Sequence, residues 1–343
     1  MIKKAIHAVA WRSEKLLDLL RGPAKRNQAD KRLIIEPYAG YATPAHLVVR
    51  GRVLTALRRN SPLPTQSRWL NFRQMLSLFL TDEVASVEVA AEGASAVTDE
   101  EGYFTLLLPR PTITGWTKVE VTIPGRAGST QCPVLIAGED ARFAVISDID
   151  DTMLETGAYS IARNLWTTFT GNAQTRRIFP DAVTFIEAIS EDGRNPIYYV
   201  SSSPWNLHWF LQQVFEAAGL RKGPAFLRDL GLSKTQFVTG THGDHKGGSI
   251  NVLMLANPEL SYVLVGDTGQ HDTFVYLDMI RRYPDRVLAV VVREPGPGPD
   301  ARTRAAMDEI RATGTALLHG RDFSAMAETL LALADQGRSG TRP

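Results

Sequence analysis

A single cysteine, Cys132, occurs in the 343 residues of this sequence. One thiol rules out a disulfide within the chain, and sparse cysteine fits a reducing, cytoplasmic setting. Long apolar runs are missing too: no stretch approaches the ~20 apolar residues that a membrane-spanning helix needs. Lys3 and Lys4 suit the start of a secretory signal, but Arg12 breaks the apolar run behind them, so no such signal is expected. Charge of one sign is not in excess either, since 38 Lys and Arg against 37 Asp and Glu leave a formal charge of +1. A nucleic-acid partner therefore has no global electrostatic basis. What is present, 44% apolar and 22% charged residues, is the balance of a globular chain long enough for about two domains with substantial cores.

Four segments follow from the patterning. Residues 1–32 hold a basic amphipathic helix, with Ile2, Ile6, Val9, Leu16 and Leu20 on one stripe and Gly22-Pro23 ending it. Such a helix either lies on an anionic membrane surface or packs on its own protein. Residues 33–138 read as an all-β sandwich accessory domain. Short runs at Leu47–Val49, Val87–Val89, Phe104–Leu106 and Val119–Ile123 alternate with turn residues. A helix carrying Trp69, Phe72, Leu76 and Phe79 interrupts them. The stretch Val97-Thr-Asp-Glu-Glu-Gly-Tyr-Phe104 resembles the turn of transthyretin-like β-sandwiches, where an Asp and a Gly bend the chain between strands. Residues 139–336 alternate strand and helix, the signature of a parallel sheet with helices on both faces. Strands are expected near 143–147, 197–201, 262–266, 287–292 and 315–318. Helices are expected near 181–190, 205–218, 247–256, 272–282, 301–312 and 322–334. Residues 337–343 read as a disordered tail.

The chemistry concentrates at Phe143-Ala-Val-Ile-Ser-Asp-Ile-Asp-Asp-Thr152. An apolar strand stops at three aspartates in four positions, and crowded carboxylates at a strand end destabilise a fold unless a cation or a reaction uses them. In open α/β sheets that end of the strand is where ligands bind. The spacing Asp148-x-Asp150-x-Thr152 lets Asp148 act as nucleophile and Asp150 move protons. Three more stretches complete the pattern: Ile197-Tyr-Tyr-Val-Ser201, Lys246 at the head of a helical pattern, and Tyr262-Val-Leu-Val-Gly-Asp267 followed by Asp272. Asp272 could instead cap the following helix. His242, His245 and His271 lack the partners and spacing of a zinc site.

Strand-Asp, strand-Ser, Lys and strand-Asp, in that order, resemble the four motifs of the haloacid dehalogenase superfamily. The pieces Ser147-Asp-Ile-Asp-Asp-Thr152, Tyr199-Val-Ser-Ser-Ser-Pro-Trp-Asn-Leu207, His245-Lys246 and Gly266-Asp-Thr-Gly-Gln-His-Asp272 look like the actin-patch-associated phosphatidate phosphatase family. The resemblance implies a haloacid-dehalogenase-like Rossmannoid α/β domain with a minimal cap. It also implies Mg²⁺-dependent hydrolysis of a phosphomonoester through an aspartyl-phosphate on Asp148, with Asp150 as acid and base. Mg²⁺ would be held by Asp148, Asp267, Asp272 and the backbone carbonyl of Asp150. Ser201 and Lys246 would bind the phosphoryl oxygens, with Thr152 and Ser202 as further hydroxyls beside them; Asp151 and Thr152 also shape the turn.

The flap from about Met153 to Phe179 is short, so the site is expected to be uncapped and to take a large or membrane-embedded phosphoester, phosphatidate or a related phospholipid. Tyr159, Trp166 and Phe169 in the flap either form a lipid-facing lip or pack on the sheet. Two alternatives stand beside this reading. One is a phosphatase for a nucleic-acid end or a phosphoprotein, for which the sequence offers only scattered arginines such as Arg176-Arg177. The other is a non-enzymatic binding scaffold.

Overall fold

A computed structural model of the protein describes residues 32–55, 84–155, 178–228, 242–296 and 298–338. The expected N-terminal helix, the Trp69–Phe79 helix and the flap aromatics lie outside the described residues. Among the described residues no helix is long and apolar enough to cross a membrane.

The first half is built of strands β1 (Leu33–Ala42), β2 (His46–Thr55), β3 (Glu88–Ala91), β4 (Ala94–Val97), β5 (Tyr103–Pro109), β6 (Gly115–Thr122) and β7 (Ser129–Ile136). They hydrogen-bond into one sheet in the order β4-β3-β6-β7-β1-β2-β5, antiparallel except for the β1–β7 pair. The turn between β4 and β5 is held by Asp99, whose Oδ1 accepts from the backbone amides of Glu101 and Tyr103 at 3.0 and 2.9 Å. Gly102 completes it at a φ of 83°, where any Cβ would lie 2.5 Å from the carbonyl of Val53. Since β4 and β5 are the two ends of the strand order, this turn draws the ends together. The sheet rolls around a core of Val49, Val53, Val89, Leu106, Leu108, Val121 and Val134. Cys132 sits in that core, and burial pushes its thiol up to about 12.

The strands β1, β4 and β7 are additions to the sequence reading. Pro37 in β1 and Pro133 in β7 break the alternation that marks a strand, and both are tolerated here beside irregular or marginal pairing.

The second half is a six-stranded parallel sheet of β8 (Ala144–Asp148), β9 (Ile197–Pro204), β10 (Ala225–Arg228), β11 (Tyr262–Asp267), β12 (Val287–Arg293) and β13 (Ala316–Gly320), in the order β10-β9-β8-β11-β12-β13. Its helices are α1 (Pro180–Ser190), α2 (His208–Ala218, behind a 3-10 turn at Trp205–Leu207), α3 (His242–Ala256), α4 (Asp272–Arg282), α5 (Ala301–Ala312) and α6 (Met326–Arg338). Alternate strand residues face two cores. Val145, Tyr199, Val263 and Val291 meet α1, α2 and α6; Ile146, Tyr198, Leu264 and Val292 meet α3, α4 and α5. Burial on both faces explains why these strands are continuous apolar runs.

Every strand and helix expected in this half is present. The four-residue edge strand β10 is an addition. Two helices depart from expectation: α3 begins at His242, so Lys246 lies inside it, and α6 runs through Gly337 and Arg338, which were read as tail. Gly247, inside the helix, packs where a Cβ would meet Met279 of α4 at an ordinary 3.8 Å.

The two halves share a core. Tyr41, Val48 and Leu135 of the rolled sheet pack with Tyr198, Phe226, Leu253 and Met254 of the α/β half.

Candidate active site

Strand order places the site. From β8 the chain moves to β9 and β10 on one side, then crosses back to β11 on the other, which makes β8/β11 the switch point where parallel sheets open a crevice. Register then aligns the residues: Asp148 pairs with Val200, Ser147 with Val265, and Asp267 with Arg293. Asp148, Ser201, Asp267 and Arg293 thus emerge at one level from four adjacent strands.

After Asp148 the chain turns back sharply. Asp151 takes a left-handed φ of 57°, its amide bonds the Leu154 carbonyl at 2.8 Å, and the Met153 and Leu154 amides bond that of Ile149. Aspartate tolerates that conformation better than most residues. Thr152 is buried and its hydroxyl donates to Asp148 Oδ2 at 3.1 Å, fixing the carboxylate.

Three buried carboxylates, Asp148, Asp267 and Asp272, bring ligand atoms within 4.8 Å of one another. Lys246 reaches them from α3, with Nζ 2.7 Å from Asp148 Oδ1 and in contact with Asp272 Oδ1. Asp272 is the first residue of α4, and His271 rather than Asp272 holds the helix N-cap position. Its Oδ2 instead accepts from the Asp267 amide at 3.2 Å. Gly266 makes this packing possible, because a Cβ there would lie 2.6 Å from Asp272 Oδ2 and 2.7 Å from the Tyr276 hydroxyl.

The electrostatics are those of a cation site. Burial, with Asp272 and Asp150 beside it, raises Asp148 well above its usual value despite Lys246. Burial, Asp272 and Asp148 do the same to Asp267. For Lys246 burial works against the charge, but Asp148 and Asp272 outweigh it and hold the ammonium above its ordinary range. Three carboxylates against one ammonium leave an excess of two negative charges when all are ionised. One acceptor points to where the balance is made: Asp267 Oδ1 takes the amides of Gly269 and Gln270 at 2.6 and 2.8 Å, while Oδ2 is buried with no hydrogen-bond partner among the described residues. An orphaned carboxylate oxygen among hard oxygen donors fits a divalent ion such as Mg²⁺. Among the described residues this cluster contains no histidine; His271 is exposed.

Asp150 is held apart from the three. Its Oδ2 accepts from Ser201 Oγ at 2.8 Å and Ser203 Oγ at 3.0 Å, and its backbone carbonyl accepts from Gln270 Nε2 at 2.9 Å. Strand alternation turns residues 201 and 203 to the same side and Ser202 to the other. Ser203, not singled out in the sequence, therefore joins Ser201 on the Asp150 carboxylate.

Sequence reasoning also missed Gln270 and Arg293. Arg293 lies at the end of β12, donates to the Thr152 carbonyl at 3.0 Å and pairs with Asp181 at 2.7 Å. Its guanidinium is clamped between the rings of Phe179 and Phe323, at 4.1 and 4.2 Å. No local pattern marks it. Only its register opposite Asp267 would have drawn attention.

A parallel α/β sheet with three buried carboxylates and a lysine gathered at its switch point places acids and a base in the crevice where such sheets bind ligands. Residues 143–294 match the family described as the catalytic domain of phosphatidate phosphatase APP1. The chain is 25% identical over 149 residues to phosphatidate phosphatase APP1 of Saccharomyces cerevisiae, covering 43% of this chain and 25% of that protein. It is 24% identical over 238 residues to an uncharacterized protein of Schizosaccharomyces pombe, covering 64% of this chain and 37% of the other. The matches thus span a quarter to somewhat over a third of these relatives.

Proposed function

We propose that the protein is a Mg²⁺-dependent phosphatase of the haloacid-dehalogenase type that releases phosphate from phosphatidate or a related phospholipid. The reading rests above all on the orphaned Asp267 Oδ2 beside Asp148, Asp272 and Lys246, in a domain matched by the APP1 catalytic family. Asp148, Asp267, Asp272 and the Asp150 carbonyl would hold the metal, which supplies charge neutralisation between carboxylate and phosphate.

The residues divide the work. Asp148 attacks phosphorus while the bond to the leaving alkoxide breaks, giving an aspartyl-phosphate. Asp150 gives its proton to that alkoxide and then takes one from the water whose attack releases phosphate and restores Asp148. Ser201, Thr152 and Lys246 orient the phosphoryl oxygens, and Lys246 offsets the buried carboxylates. The lipid substrate follows from the relative's activity and the short flap rather than from the site chemistry.

The test is Mg²⁺-dependent phosphate release from phosphatidate in mixed micelles, with a phosphopeptide and a 3′-phosphorylated oligonucleotide alongside. Asp148→Asn should abolish release, and Asp150→Asn should lower it by about 10²–10⁴-fold. Turnover of only a non-lipid substrate would remove the lipid assignment and keep the mechanism. Undiminished release in Asp148→Asn would remove the mechanism.

A further inference from the structure

The rolled sheet reaches the segment that carries the catalytic hydroxyls. β1 contains a bulge: Tyr38 pairs with Arg50 and Tyr41 with Val48, three residues on one strand against two on the other. Residues three apart on a regular strand face opposite sides, and the extra residue puts them on the same side. Gly40 inside the bulge is required, because a Cβ there would lie 2.3 Å from the Val48 carbonyl. The result aims Tyr38, Tyr41 and the cross-strand neighbour Arg50 together at the α/β half.

Their targets are the carboxyl end of β9 and its edge partner β10. Tyr38 stacks on Trp205 with ring centroids 4.5 Å apart at 22°, and meets the His208 ring edge-on at 4.5 Å. Arg50 donates to the Ala225 carbonyl of β10 at 3.1 Å and to its own sheet at Ala39. Its guanidinium lies 5.7 Å from the Trp205 ring and 4.4 Å from Phe226. Trp205 is two residues past Ser203, with only Pro204 between. Ser201 and Ser203 are the hydroxyls that hold the Asp150 carboxylate. The path from rolled sheet to acid–base group is therefore three contacts long: Tyr38 to Trp205, Trp205 through Pro204 to Ser203, Ser203 to Asp150.

We propose that Tyr38 and Arg50 are positioning residues of the phosphatase site: the rolled sheet clamps Trp205 and thereby sets the Ser201–Ser203 hydroxyls that orient Asp150. The proposal rests on the phosphatase reading, and it makes the β half part of the catalytic machinery rather than a spacer. A hydroxyl pair that must hold a carboxylate in register is sensitive to small displacements, and an error of about 1 Å in such a group can cost on the order of 100-fold in rate.

Two readouts test it on the full chain. Amide exchange is measured in peptides covering 197–207, with 144–148 as an internal reference. Phosphate release from phosphatidate micelles is measured in parallel for Tyr38→Leu, Tyr38→Phe, Arg50→Met, Trp205→Leu and, as an outer-surface control, Leu107→Ala. The expected result is exchange at 197–207 about 10-fold faster or more in Tyr38→Leu with 144–148 unchanged. The kcat should fall about 10- to 100-fold with KM nearly constant. Tyr38→Phe should restore most of the loss, and Tyr38→Leu should add little to Trp205→Leu. Leu107→Ala should match wild type. Unchanged exchange at 197–207 in Tyr38→Leu overturns the clamp. Faster exchange with an unaltered kcat overturns its catalytic role. A wild type that turns over no phosphoester removes the phosphatase reading instead, and the exchange result then decides the clamp alone. Should Tyr38→Leu fail to fold, Arg50→Met carries the same two measurements.

Discussion

Asp267 concentrates the argument at the scale of the residue. It is fully buried, with one oxygen hydrogen-bonded to two backbone amides and the other without a hydrogen-bond partner among the described residues. Burial and neighbouring acids hold Asp148 and Asp267 well above the ordinary carboxylate value. A carboxyl raised in the folded state stabilises the fold fully below its unfolded pKa, and that contribution is lost as pH climbs through the folded value. Without a divalent cation, thermal stability should therefore decline as pH rises from about 4 toward 8. Lys246, raised by the same aspartates, keeps its contribution throughout that window. Mg²⁺ should raise the melting temperature, and more at pH 8 than at pH 5. Scanning calorimetry of Asp267→Asn should show both the pH slope and the Mg²⁺ response reduced. An Mg²⁺ response equal to that of wild type would place the cation elsewhere.

Elements position what the residues use. The β8 strand was legible because Phe143-Ala-Val-Ile is apolar without alternation, as a strand buried on both faces must be. β9, β11 and β12 announced themselves in the same way. Arg293 was not legible. Its role exists because parallel register sets the end of β12 level with Asp267, and because α1 brings Asp181 to it. There it ties the turn after Asp148, through the Thr152 carbonyl, to the neighbouring strand. Arg293→Met would break this tie and strand a largely buried carboxylate. The loss should fall near the lower end of about 3–5 kcal/mol, because Asp181 keeps some contact with water. Urea denaturation measures it, and a loss under about 1 kcal/mol would show the pair to be no more than a surface bridge.

At the scale of the molecule the two halves are one packing unit along Tyr41, Val48 and Leu135. An apolar shared core of this kind couples two domains, whereas a polar and sparse one leaves them independent. The chain should therefore unfold in a single calorimetric transition. Val48→Asp, which buries a charge between the halves, should split it in two. Two transitions in the wild type would show that the contact couples nothing, and would weaken the clamp on Trp205 as well.

The sequence by itself determined the α/β alternation of the second half, the order of the four chemical motifs, and Asp148, Asp150, Lys246, Asp267 and Asp272 as the residues to watch. These are local properties: apolar runs, breaks and the residue at the end of each run depend on neighbours in the chain. Tertiary structure decided the rest. Pro37 and Pro133 hid two strands, and the parallel pairing of those strands with each other joins segments far apart in sequence. Ser203 joins Ser201 on Asp150 because strand alternation, not adjacency, chooses which hydroxyls meet that carboxylate. A one-residue bulge turned Tyr38 toward Trp205. Each of these depends on register or docking between distant segments, and no window of sequence contains both partners.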